Sequence, residues 1–138
     1  MGNRLFDYKA CFFTFWREFT KMLKRKVLAH AKNEPHAAHE YKDAWEADVL
    51  TVGKKMFAMI GAYKDGRPIV TLKSDPEKAL ALREAYEGIV IPGYYSNKNH
   101  WNSIFLDAEF EETLLFGLID DSYTLVFDGL TRKEREGL

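Results

Sequence analysis

Between residues 49 and 73 the sequence carries three apolar runs of strand length, Val49-Leu50-Thr51-Val52, 56–63 and 69–73, separated only by Gly53-Lys54-Lys55 and by Lys64-Asp65-Gly66-Arg67-Pro68. A parallel crossover takes a dozen or more residues, so runs this close together pair antiparallel or not at all. Two successive hairpins follow, and Asp65-Gly66 supplies the positive φ angles that a tight reversal needs. Any fold open to this chain is built around that meander.

The flanking segments read as helices and further strands. Leu5, Tyr8, Phe12, Phe15, Phe19 and Met22 recur at spacings of three and four, widened by Trp16 and Leu23, which predicts an amphipathic helix over 4–32. Its aromatic stripe is expected to pack in the core or against a second copy. Residues 33–47 read as a connection holding no more than a helical turn. Ser74-Asp75-Pro76-Glu77 announces a second helix, because Ser or Asp can cap free N–H groups and Pro fits the first turn; Gly88 ends it. Ile89-Val90-Ile91 and Ser103-Ile104-Phe105-Leu106 read as two more strands around the loop 94–102. A last long helix is expected over 111–127, and Thr131-Arg132-Lys133-Glu134 has capping-box spacing. The order α-βββ-α-ββ-α predicts an α+β fold of two layers, an antiparallel sheet of about five strands with helices on one face.

At 138 residues and 46% apolar content the chain is expected to form one globular domain over 1–138. The formal net charge of −1 removes the long-range electrostatic pull that non-specific nucleic-acid binders use, so any such binding has to be local. The balance is uneven: residues 1–55 hold 11 Lys+Arg against 7 Asp+Glu, or +4, and residues 56–138 hold 9 against 14, or −5. Cys11 is the single cysteine, which excludes an intramolecular disulfide and suits a reducing, cytoplasmic setting. Asp7, Lys9, Arg17 and Glu18 interrupt any apolar run at the start, and position 6 is Phe where an acylation motif wants Ser or Thr. No stretch approaches a membrane span, and no membrane role is expected.

Six ordered segments carry a resemblance: Gly53-Lys54-Lys55-Met56-Phe57-Ala58, Leu72-Lys73-Ser74-Asp75-Pro76-Glu77, Tyr86-Glu87-Gly88-Ile89, Pro92-Gly93-Tyr94, Asn97-Lys98-Asn99-His100-Trp101-Asn102, and 118–126. Together they resemble the MmcQ/YjbR family of small bacterial proteins over about residues 49–135, with the Asn-Lys-x-His-Trp segment the most specific. Residues 1–35, the aromatic helix, match less well. The resemblance implies a fold related to the frataxin/CyaY-like and secretion-chaperone-like arrangements. It also implies a DNA-binding label that derives from similarity of shape to the DNA-binding domain of a phage transcription factor, which is a fold-level analogy. It carries over no catalytic residue.

The residues themselves offer two candidate surfaces. Lys98 and His100 can contact phosphate while Trp101 stacks a base; the same loop can equally use Trp101 to cover the sheet and Asn97 and Asn102 to hold a turn. Lys54, Lys55, Arg67 and Lys73 can form a basic hairpin edge that tracks a phosphate backbone, or can protect the edge from aggregation. Asp107, Glu109, Glu111 and Glu112 sit where a helix dipole favours negative charge. His36 and His39, with His30 and Glu40 nearby, have ligand-like spacing but no fixed fourth ligand, so no metal is expected. No nucleophile–base set, Gly-rich phosphate loop or dinucleotide fingerprint is found. The expectation is a cytoplasmic DNA-binding protein, not an enzyme and without a cofactor. The alternative is a protein-interaction module, chaperone-like or dimerising, that docks through its first helix.

Overall fold

The computed structural model describes residues 2–94 and 96–138, with side chains from residue 15 onward. Leu5, Tyr8, Cys11 and Phe12 of the predicted first helix therefore lie outside the described side chains. Helix α1 (Gly2–Lys32) precedes β1 (Ala38–Lys42), β2 (Ala47–Val52), β3 (Lys55–Ala62) and β4 (Pro68–Lys73). Helix α2 (Pro76–Ala85), β5 (Val90–Pro92), β6 (Trp101–Phe105), α3 (Glu112–Asp128) and the short α4 (Arg132–Glu136) complete the chain. The six strands form one sheet in the order β1-β2-β3-β4-β6-β5, every neighbour antiparallel.

The hairpins form as the spacers predict. Gly53 (φ 57°) and Lys54 (φ 68°) make the β2–β3 reversal with both residues left-handed; at the β3–β4 reversal Gly66 (φ 90°) is left-handed but Asp65 is not, its carboxylate instead accepting from the Arg67 N–H (3.0 Å). The sixth strand is β1, which lies within the stretch read as a connection. Ala38-His39-Glu40-Tyr41-Lys42 is exposed along almost its whole length and has no apolar alternation. It is a strand because β2 offers it a free edge, pairing Ala38 with Thr51 through Lys42 with Ala47.

Helices α1, α2 and α3 pack on one face of the sheet. Leu50, Val52, Phe57, Ile60, Leu72 and Ile104 meet Leu23 and Val27 of α1 and Leu115, Ile119 and Val126 of α3 in one core. Among the described side chains of α1, Leu23, Val27 and Ala31 take part. Of its aromatic stripe, Phe15, Phe19 and Met22 are 63%, 40% and 53% exposed and do not enter the core of the chain, which α1 meets through Leu23, at the margin of the stripe, with Val27 and Ala31. Asp75 precedes α2 as predicted but its side chain makes no cap, whereas Thr131 and Glu134 complete the capping box of α4.

The opposite face is partly covered. The chain after β5 folds back across β4 and β6, where the Tyr94 N–H donates to Ser103 Oγ (3.0 Å) and that hydroxyl lies 2.7 Å from Thr71 Oγ1. Over β2 and β3 lies a smaller apolar cluster of buried Ala47, Val49 and Met59 with the partly buried Met56 packed against it. The two sheet edges differ in kind: β1 is polar and exposed, and β5 is three residues long and stops at Pro92.

Candidate functional site

One end of the sheet collects residues that the sequence holds far apart. The start of β3, the end of β4 and the start of β6 coincide there, and Lys73 pairs directly with Trp101. Alternation along β4 and β6 puts Lys73 with Thr71, and Trp101 with Ser103, on the face away from the helices. Lys54 at the β2–β3 tip and Lys98 and His100 in the loop before β6 are exposed at the same end. Arg67 is not among them. It lies at the other end of β4, roughly 20 Å away by strand rise, where its guanidinium binds Asp107 through Nε at 2.9 Å and Nη2 at 2.8 Å. The guanidinium carbon stands 3.8 Å from the centre of the Phe105 ring. The Asp107 contacts hold the Arg67 pKa above its usual value against the opposing effect of burial. Asp107 is thus a pairing partner rather than a dipole residue, since α3 starts at Glu112.

The loop is built by its asparagines. Asn97 Oδ1 accepts from the Asn99 N–H (2.9 Å), and the Asn97 carbonyl accepts from the Trp101 N–H (3.0 Å), closing the turn that presents Lys98 and His100. Arg83 of α2 donates to the Lys98 carbonyl at 3.1 Å, and the buried Asn102 donates from Nδ2 to the Ala79 carbonyl at 3.1 Å. Helix α2 is therefore fastened to the loop at two points. Gly93 makes room for it: a Cβ there would stand 2.6 Å from Trp101 Cβ, and its own N–H donates to the Trp101 carbonyl.

The tip residues have acidic company. Lys55 Nζ lies 3.6 Å from Glu134, whose carboxyl is held below its ordinary pKa, first by the Thr131 N–H and then by the Thr131 hydroxyl. Lys78 pairs with Asp121 at 2.5 Å. Lys54, Lys73 and Lys98 are the lysines at this end that form no ion pair among the described residues.

Behind the site, Ser122 of α3 does what no sequence pattern announced. Its hydroxyl is fully buried, accepts from the Lys73 N–H (2.8 Å) and donates to the Phe57 carbonyl. Phe57 is the residue skipped in the β2–β3 register, where pairing passes from Leu50↔Ala58 to Thr51↔Met56. The hydroxyl therefore replaces a ladder bond between β3 and β4 just where Lys73 emerges.

The histidines separate. His36 sits in a turn at φ 60°, and His39 lies on β1, 2.7 Å from Asp48. His30 joins Glu34 and Asp120, with polar atoms of all three within 4.8 Å of one another. His30 Nε2 is 2.7 Å from Asp120 Oδ1, and the His30 ring stacks on Phe116 at 4.7 Å. Burial, then the hydrogen bond to Asp120, then the charge of Asp120 push the Glu34 carboxyl up to about 7, while Asp120 is lowered, first by its bond to Glu34. The three groups are spent on one another and clasp α1 to α3.

A family model described as YjbR matches residues 32–125. The uncharacterized protein YbdF of Escherichia coli O157:H7 is 43% identical over 91 residues, spanning 66% of this chain and 73% of its own. The uncharacterized protein YjbR of Escherichia coli K12 is 30% identical over 111 residues, 80% of this chain and 92% of its own. A Deinococcus radiodurans crystal structure with a DUF419 domain superposes with TM-score 0.69 at 32% identity, covering 79% of this chain and 82% of that one. A Pseudomonas syringae protein gives 0.63 at 21% identity, over 74% and 97% respectively, a likeness of fold.

Proposed function

The chain belongs to the YjbR family, and from that premise we propose that it is a non-catalytic, cytoplasmic protein that contacts nucleic acid with the sheet end carrying Lys54, Lys73, Lys98, His100 and Trp101. The observation that carries the reading is the meeting of these five residues, drawn from three separate segments, on one end of the sheet. Three lysines that form no ion pair among the described residues supply contacts to phosphate, and an indole beside them supplies a stacking surface. Arg67, committed to Asp107 at the far end, and Lys55, beside Glu134, contribute little. No helix among the described residues is long and apolar enough to cross a membrane.

The test is fluorescence anisotropy with labelled duplex and single-stranded DNA across a salt series. If the three lysines each neutralise a phosphate, the logarithm of duplex affinity falls against the logarithm of salt with a slope of about −2.7. Lys54→Ala/Lys73→Ala/Lys98→Ala abolishes that slope. No binding at low salt, or binding that the triple variant leaves unchanged, overturns the reading. A second reading, a protein-interaction module, draws support from Phe15, Phe19 and Met22, which stand exposed in a row on α1. It predicts association that is indifferent to salt and lost in Phe15→Ala/Phe19→Ala.

A further inference from the structure

The sheet face that the helices leave open holds a cavity of about 570 Å³, between the β1–β2 turn and the segment returning from β5. Small-molecule sites span roughly 300–1,000 Å³, so the size fits a ligand rather than a stray water. Its floor is apolar and deformable: Met56 and Met59 present thioethers beside Ala47 and Ile69. Gly61 keeps the floor low, because a Cβ there would come within 3.2 Å of Ala47 Cβ.

The rim is of a different character. Trp45 is 56% exposed and is flanked by Asp43 and Glu46, both exposed and both lining the opening. Glu46 is held at φ 49°, in the left-handed region, by the turn that closes between the Asp43 carbonyl and its own N–H. Among the described lining residues every ionisable group is a carboxylate, with no Lys, Arg or His. The chain itself shows what the indole attracts, since the Lys42 ammonium stands 4.6 Å from the centre of the Trp45 ring.

We propose that this cavity binds a small organic ammonium, its apolar body on the methionine floor and its cationic head between Asp43, Glu46 and the Trp45 ring. An anion would meet two carboxylates at the mouth, and a neutral molecule would gain the floor without the rim. Met56, near the start of β3, lies toward the lysine-bearing sheet end, but Lys54, Lys73, Lys98, His100 and Trp101 do not line the cavity, so the two sites are tested separately.

Titrating the full chain with 2-phenylethylammonium, 2-phenylethanol and phenylacetate, and following the methyl signals of [methyl-13C]methionine, separates these contributions. The chain has four methionines, at 1, 22, 56 and 59, so floor residues and outlying ones report side by side. The ammonium is expected to shift Met56 and Met59 saturably at about 10 mM or below, the range a fragment of this size reaches, with Met22 unmoved. The alcohol binds several-fold more weakly and the carboxylate more weakly still. Asp43→Asn/Glu46→Gln, both surface changes, weakens the ammonium about tenfold and leaves the alcohol where it was. Equal responses to all three probes, no saturable shift, or an ammonium affinity unchanged in the double variant would overturn the proposal.

Discussion

Ser122→Ala removes one oxygen from the protein interior, and the structure assigns it a cost well above that of an ordinary serine. The hydroxyl is fully buried and serves two backbone groups at once, the Lys73 N–H and the Phe57 carbonyl, at the point where the β2–β3 register has slipped. Alanine leaves both without a partner. An orphaned buried backbone group costs about 1–3 kcal/mol, and Lys73 is half-buried where water gives some relief, so the expected loss is about 2–4 kcal/mol. Urea unfolding followed by tryptophan fluorescence measures it, with the midpoint falling and the m-value constant. Thr124→Ala, at an exposed position on the same helix, is the control and stays within about 0.5 kcal/mol. A loss below about 1 kcal/mol for Ser122→Ala would mean that β3 and β4 close up and form the direct bond themselves, and the bridging argument would be wrong.

Glu34 gives the protein a pH dependence whose sign follows from its neighbours. Its folded pKa of about 7 stands above the ordinary 4.5, so the stability it contributes is full in acid and is lost as pH rises through 7. The whole shift would be worth about 3 kcal/mol, and partial solvent access reduces the expected loss between pH 5 and 8 to about 1–2 kcal/mol. Glu34→Gln keeps a hydrogen-bond donor to Asp120 without titrating, and thermal melts across that range are expected to show a flatter profile for it; parallel profiles would sink the assignment. Gly93→Ala drives a Cβ to 2.6 Å from Trp101 Cβ and 2.9 Å from its carbonyl oxygen, the root of a side chain and a backbone atom of β6, neither of which a rotamer change can move aside. Overpacking of this kind costs about 1–3 kcal/mol, and amide exchange at Trp101 and Asn102 should quicken with it; a variant as stable as the parent would contradict the close approach.

What could be read in the sequence follows the range of the interactions involved. The meander was legible because its information is local: apolar runs separated by spacers too short for anything but a turn. Helices α2 and α3 were legible from Pro76, Gly88 and the Leu114–Val126 pattern, to within a few residues at their ends. Strand β1 was not, since its residues carry no alternation and the strand exists only by pairing with β2. The core reading of the α1 stripe fell short for a related reason. Periodicity identifies an apolar face but not which of two adjacent faces the sheet will take, and Leu23, Val27 and Ala31 took it. At the candidate site, Asn97 and Lys98 through Trp101 were visible as one unusual segment, whereas Lys73 joins them only through strand pairing. Arg67 and Asp107, 40 positions apart, and His30 and Asp120, 90 apart, meet through the fold alone. So do the residues of the open-face cavity, where polar Asp43 and Glu46 looked like an ordinary loop.

The two edges of the sheet decide how this protein can meet copies of itself. On one side Pro92 ends β5 after three residues and offers no N–H at its last position, so an approaching strand finds almost nothing to bond. On the other, a symmetric antiparallel union of two β1 strands centred on the segment would set Glu40 against Glu40, two carboxylates face to face in every dimer so formed. The backbone is thus closed to further recruitment at both margins. Whatever this protein joins, it must join through side chains and the shapes they make, and a lesion that neutralised Glu40 would open one margin alone, giving a closed pair of chains and not a growing assembly.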